Sequence, residues 1–187
     1  KTTVAELFAN LGAGVVDTDA IAHQLTGPGQ PAMTEIVARF GSEFAASDGS
    51  LDRRRMRELV FKDHSARQRL EAILHPRIRA EGARRLAACT APYVIVVVPL
   101  LFETGAWQDT ISRKLVVDCE PEIQICRVMS RGGLSREAVL AIMATQITRP
   151  QRLRLADDII DNSNGTAALH TRVEALHKQY ITAARHA

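Results

Sequence analysis

Residues 1–20 read K-T-T-V-A-E-L-F-A-N-L-G-A-G-V-V-D-T-D-A, and this stretch decides the fold. Val4, Leu7, Phe8 and Leu11 recur at helical spacing, and Gly12 stops the pattern. Gly14-Val15-Val16-Asp17 then reads as a short buried strand that runs into two acids, Asp17 and Asp19, ahead of a helix from Ala20 to Leu25. A helix feeding a strand, with acids at the strand's carboxyl end, is the repeating unit of a parallel α/β sheet.

The same alternation continues downstream. Tyr93-Val94-Ile95-Val96-Val97-Val98 is short, β-branched and bounded by Pro92 and Pro99, which predicts a central parallel strand. Leu115-Val116-Val117-Asp118 and Asp158-Ile159-Ile160-Asp161-Asn162 read as two more strands. Helical spacing covers Met33 to Phe40, Arg53 to Phe61, and Ser65 to Cys89 with an interruption at Pro76. It returns over Pro121 to Ser130, Ser135 to about Thr148, and Thr166 to His186. The arginine-rich helices of 27–90, entered through Gly27-Pro28-Gly29-Gln30-Pro31, interrupt the alternation and read as an inserted subdomain. A second helical insertion, 127–155, turns at Gly132-Gly133 and reads as a mobile lid.

Composition sets limits on function. With 187 residues, 46% hydrophobic, the chain can bury a proper core as one or two domains. The net charge of +3 favours anionic partners, but acids are interleaved with the bases and no stripe suits a nucleic acid. Aromatic residues, at 4%, are too scattered to form base-stacking platforms. Cys89, Cys119 and Cys126 lack a metal-type pair and read as reduced, buried, small hydrophobes of a cytosolic protein. No apolar run approaches the ~18 residues of a membrane span, and no signal peptide is visible.

Three groups of residues carry chemistry. Lys1-Thr2-Thr3 at a helix start matches the end of a Walker A loop, G-x-x-x-x-G-K-[ST]. There the backbone amides hold phosphates, the lysine reaches the β- and γ-phosphates, and the hydroxyl ligates magnesium. Alone, K-T-T is an ordinary first turn; the strand and acids behind it give it weight. Asp17 and Asp19 lie at the carboxyl end of a strand, where open α/β sheets bind their ligands. Either can take a proton from a substrate hydroxyl or hold magnesium, and the alternative is that one of them merely caps the next helix. Arg127 and Arg131 share a helix face, and Arg149, Arg152 and Arg154 cluster further on, as a lid closing on triphosphate requires. Most helical arginines are solvated surface. His75, before Pro76, reads first as part of a helix break.

Several segments together resemble the dephospho-coenzyme A kinase family. They are K-T-T-V-A-x-L-F-x-x-L-G-x-x-V-V-D-T-D-x-I-A at the start, L-H-P-R-I at 74–78, V-V-P-L-L-F-E at 97–103, V-V-D-C at 116–119 and A-D-D-I-I-D-N at 156–162. The resemblance covers essentially the whole chain in the family's order. It implies a P-loop, nucleoside-monophosphate-kinase-like, three-layer α/β/α fold with a parallel sheet. Its core would be 1–26, 91–126 and 156–187, its coenzyme-binding helical subdomain 27–90 and its lid 127–155. The implied activity is ATP-dependent phosphorylation of the ribose 3′-hydroxyl of dephospho-coenzyme A, the last step of coenzyme A biosynthesis.

Position by position, the resemblance makes Asp19 the general base, with Lys1 and Arg127 on the transferring phosphate. Lys1, Thr2, Thr3, Arg127, Arg131, Arg152 and Asn162 would bind ATP, Asn162 near the adenine. Thr2 would ligate Mg2+, and Asp17, His75 and Glu103 would line the acceptor site. The family partners are ATP and dephospho-coenzyme A. We expect a cytoplasmic monomer or weak homo-oligomer with no nucleic-acid or membrane partner. Two alternatives remain: another small P-loop kinase acting on a nucleotide or hydroxylated metabolite, and a non-catalytic nucleotide or RNA binder. Acids directly behind the strand weigh against pure phosphate binding, whereas a steeply salt-dependent RNA affinity would favour it.

The family pattern carries a testable expectation. A short hydrophobic strand and G-x-x-x-x-G are expected directly before Lys1, and sequencing the encoding DNA upstream checks it. A different pattern there sinks the kinase reading.

Overall fold

A computed structural model describes residues 1–163 and 166–186. Its elements run α1 (Thr2–Asn10), β1 (Gly14–Asp17), α2 (Thr18–Leu25), α3 (Pro31–Phe40), α4 (Arg53–Lys62) and α5 (His64–Ala88). They continue with β2 (Val94–Val97), α6 (Leu101–Thr104), β3 (Leu115–Asp118), α7 (Pro121–Gly132), α8 (Arg136–Ala144), α9 (Arg149–Arg154), β4 (Asp158–Asp161) and α10 (Thr166–Ala184). The fold is α/β, as expected. β1 pairs with β2, and β3 pairs with β4 in parallel, Leu115 opposite Asp158 through Asp118 opposite Asp161. The chain divides into two compact units, Lys1–Val15 with Ala91–Ala187, and Val16–Thr90.

In the first unit α1 and α10 supply one core. Val4 and Phe8 from α1 meet Leu169, Val173, Leu176 and Tyr180 from α10, whose three- and four-residue spacing forms one helix stripe. Ile160 of β4 joins them, and Tyr93, Ile95, Leu115 and Val117 pack against the cluster. Both strand pairs therefore contribute to a single apolar centre. The Phe8 ring, fully buried, stacks on Tyr180 at 5.8 Å and meets Tyr93 edge-on at 6.4 Å. Phe8→Ala would cost about 3–5 kcal/mol. Tyr93 keeps its hydroxyl satisfied against His177 Nδ1 at 2.7 Å, and burial pushes that phenol up to about 12.

Local chemistry explains several boundaries. α7 ends because Gly133 takes the left-handed conformation at φ 61°, which a side chain would strain. Thr148 and Gln151 cap each other's backbone at the start of α9. The helix expected from Ser135 to about Thr148 ends at Ala144 as α8, and the capping box starts a further short helix, α9, beyond the expected span. β1 is only partly buried: Val16 points inward while Val15 stays 38% exposed, the alternation of a strand with one covered face. β2, expected as a buried central strand, is half-buried throughout, since among the described residues its one hydrogen-bonded neighbour is β1. The cysteines are free but not buried: Cys126 is exposed and the other two are half-buried, because they sit at element ends and on a solvated helix face.

The second unit has its own centre, built from Met33, Ile36, Phe44, Leu51, Met56 and Ile73. Asp52 and Asp63 cap α4 and α5 by accepting the amides of Arg55 at 2.9 Å and Ala66 at 3.0 Å. α5 runs unbroken through Pro76, contrary to the expected interruption. A proline inside a helix disturbs the bonding of the preceding turn. In that turn Arg77 adds side-chain bonds: its guanidinium donates to the Ile73 carbonyl at 2.7 Å and to Glu35 of α3 at 2.7 Å.

Asp158, buried at the start of β4, gives this fold a pH dependence. Arg113 grips both its oxygens at 2.8 and 3.1 Å, and the Tyr180 hydroxyl donates at 2.8 Å. The Arg113 bonds above all, then Tyr180, hold the Asp158 carboxyl below the usual carboxylate range despite burial. Its stabilisation is therefore complete above the unfolded carboxylate's pKa and is lost as pH falls through the lower folded value. Asp158→Asn should destabilise by about 2 kcal/mol at neutral pH, with the gap to the parent closing below about pH 4. Denaturant melts across pH check this; a gap that widens on acidification contradicts it.

Candidate functional site

The first unit gathers positive charge around the start of α1. Lys1 is the N-cap residue, no side chain caps the first turn, and that turn holds no acid. Its free amides and the helix dipole favour an anion there. Lys1, Thr2 and Thr3 are all exposed. Arg131 and Arg127 lie close enough to the first residue for their charges to act there. The structure thus brings Lys1, Arg127 and Arg131 into one electrostatic neighbourhood. Among the described residues, neither Arg127 nor Arg131 has a carboxylate partner, whereas Arg113, Arg136 and Arg149 are all ion-paired.

Arg127 is seated by backbone rather than by acids. From α7 its Nη1 donates to the Asn162 carbonyl at 2.8 Å and lies 3.5 Å from Cys119 Sγ. The Asn162 amide in turn donates to the Asp118 carbonyl at 2.9 Å. Asn162 and Arg127 are therefore neighbours, joined where β3 and β4 end.

The other arginines expected in one cluster have separate tasks. Arg149 clasps Asp118 through Nε at 3.0 and 3.1 Å and Nη2 at 2.7 Å, and Nη2 also reaches Glu120 at 2.8 Å. Its own charge is held more firmly than usual by the Asp118 bonds first. Arg152 donates to the Ile147 carbonyl at 3.1 Å, while Arg154 is exposed. Glu103, on α6, is exposed and accepts the Ile147 amide at 3.1 Å.

Sequence reasoning missed the grip of Arg149 and the turn that leads into α6. Leu100 there has φ 55°, a left-handed conformation that costs a non-glycine residue of order 1–3 kcal/mol. Its position inside V-V-P-L-L-F-E was the available signal. For Arg149 the signal was Asp118, an acid closing an apolar strand, but partners 31 residues apart leave no periodic trace.

In the second unit the D-x-D pair divides its labour. Asp17 Oδ1 accepts the amides of Asp19 at 2.8 Å and Ala20 at 3.2 Å, so Asp17 is the helix cap. Asp19 sits exposed in the first turn of α2. His75 is exposed midway along α5, one residue before Pro76.

An uncapped helix start beside a lysine and two arginines that lack a carboxylate partner among the described residues, on an α/β scaffold, has the charge and the free amides that suit an anion. A profile of the family described as Dephospho-CoA kinase matches residues 1–168. A dephospho-CoA kinase of Chromobacterium violaceum is 56% identical over 181 residues, covering 97% of this chain and 89% of the relative. One from Burkholderia pseudomallei is 54% identical over 185 residues, covering 98% and 91%. A crystal structure from Thermus thermophilus superposes with a TM-score of 0.80 at 33% identity, over 95% of this chain and 90% of that one. A dephospho-CoA kinase from Campylobacter jejuni gives 0.69 at 28% identity, over 97% and 92%. The chain belongs to the dephospho-CoA kinase family.

The Asp17 cap is separable from its charge. Asp17→Ala should lower stability by about 1 kcal/mol, while Asp17→Asn, which still accepts both amides, should lose a few tenths. Chemical denaturation of the two variants measures the difference. Equal losses would mean that the carboxylate's charge, not its hydrogen bonds, matters to the fold.

Proposed function

We propose that this protein transfers the γ-phosphoryl group of ATP to the ribose 3′-hydroxyl of dephospho-coenzyme A, giving coenzyme A and ADP. The observation that carries this reading is the convergence of Lys1, Arg127 and Arg131 at the open start of α1 in a chain of this family. Polyphosphate needs such a concentration of donors, and phosphoryl transfer depends chiefly on positioning and charge stabilisation.

Lys1 and Arg127 hold the transferring phosphate, Arg131 and Arg152 approach from the lid 127–155, and Thr2 and Thr3 meet the phosphates at the head of α1. Asn162 flanks the adenine. Asp19 takes the proton of the 3′-hydroxyl as it attacks in line with the leaving ADP oxygen. Asp17, His75 and Glu103 line the acceptor side, with 27–90 as the coenzyme-binding subdomain. In this reading the strand pairs belong to one parallel sheet covered by helices on both faces, the three-layer core of P-loop kinases. Tyr93, Ile95, Leu115 and Val117 on one shared cluster support it.

Magnesium fits this donor set. It binds through one or two protein oxygens plus phosphates and water, and Thr2 at the start of α1 offers such a hydroxyl. When bound, it would offset the charge of the phosphates, with Thr2 as its protein ligand. No helix among the described residues is long and apolar enough to cross a membrane. The protein is proposed to act in the cytoplasm as a monomer or weak homo-oligomer.

The test offers ATP-magnesium with dephospho-coenzyme A, AMP and shikimate in parallel. Only dephospho-coenzyme A should be consumed well. Asp19→Asn should lower kcat by about 10²-fold with ATP binding nearly intact. A loss confined to KM for ATP would make Asp19 a nucleotide or magnesium ligand, and preferential use of another acceptor would overturn the assignment.

A further inference from the structure

Arg149 has no place in the mechanism above, yet it makes the densest set of side-chain bonds at the strand ends. Its fork holds Asp118, the last residue of β3, and Glu120, the residue that starts α7. The corner between them is tied to the end of β4: the Glu120 amide donates to Ser163 Oγ at 3.1 Å, and Asn162 donates to Asp118. Arg127 is seated on this same corner, against Cys119 Sγ and the Asn162 carbonyl. Of the two supports of the Arg127 guanidinium, Asn162 is hydrogen-bonded to Asp118, and Cys119 lies in the chain between the two acids that Arg149 holds.

We propose that Arg149 is a positioning residue that fixes the 118–120 corner and so aims Arg127 at the transferring phosphate. Two physical effects combine. Asp118 is buried, with its side chain 10% exposed, and a buried carboxylate needs a partner to stay in place. The planar guanidinium spans Asp118 and Glu120 at once, which a lysine ammonium cannot reproduce. Without it the two acids repel each other beside the site and the corner opens. Arg127 then loses the carbonyl and the sulfur that orient it. The Nε and Nη2 donors of Arg149 are thus spent on carboxylates.

This inference rests on the reading that Arg127 meets the transferring phosphate, and a double-mutant cycle separates the two. Arg127→Ala should lower kcat/KM by about 10³-fold. Arg149→Ala should lower it by about 10- to 100-fold, chiefly through kcat, with Arg149→Lys recovering little. The double variant Arg127→Ala/Arg149→Ala should equal Arg127→Ala within about threefold, because Arg149 acts through Arg127. Multiplying losses would overturn the inference alone: they are the signature of an independent phosphate contact or of general unfolding. Wild-type turnover in Arg127→Ala would overturn both readings. Melting curves identify folded variants, and if Arg149→Ala fails to fold, Arg149→Lys completes the same cycle.

Discussion

The structure depends on holding like charges together. Lys1 stands at the start of α1, Arg127 and Arg131 lie near enough for their charges to act there, and no carboxylate among the described residues neutralises the two arginines. Two unit charges 4 Å apart repel by about 1 kcal/mol in water and about 4 kcal/mol near a protein surface. A helix start adds its own positive end. Such an arrangement costs stability in the free protein, and an anion bound there would offset that cost.

The acids at the strand ends explain how the arrangement survives. Asp118 and Glu120 are occupied by Arg149, Asp158 by Arg113 and Tyr180, and Asp157 by the Lys114 amide at 2.7 Å. Asp161 accepts the Ser163 amide at 2.8 Å. Asp118, Glu120, Asp157 and Asp158 are each drawn toward a neighbour other than Arg127 or Arg131. The division is made by hydrogen-bond geometry rather than by distance along the chain.

What was legible in the sequence follows from range. β1 and β3 fall where their apolar runs end, since Val-Val-Asp is a local signal, and α1, α3, α4 and α10 follow helical periodicity. Arg127 and Arg131 on one helix are likewise a local matter of four-residue spacing. The errors arise where tertiary contacts override local rules. Pro76 signals a break, but Arg77 bridges the weakened turn to Glu35 on another helix. Apolar spacing from Ser135 onward conceals the Thr148–Gln151 box that starts α9. Asp17 and Asp19 look equivalent in sequence, and the direction of one carboxylate toward two amides makes Asp17 the cap.

The most direct test is whether the cation cluster binds polyphosphate. Melting temperature should be followed with ATP, inorganic tripolyphosphate and, for comparison, adenosine, in the parent and in Arg127→Ala/Arg131→Ala. A ligand present at about 100 times its Kd stabilises by about 2.7 kcal/mol, enough to raise the melting point by a few degrees. The account predicts that rise for ATP and tripolyphosphate, its decline with added salt, little change with adenosine, and its loss in the double variant. No rise with either polyphosphate, or an equal rise in the double variant, would contradict it.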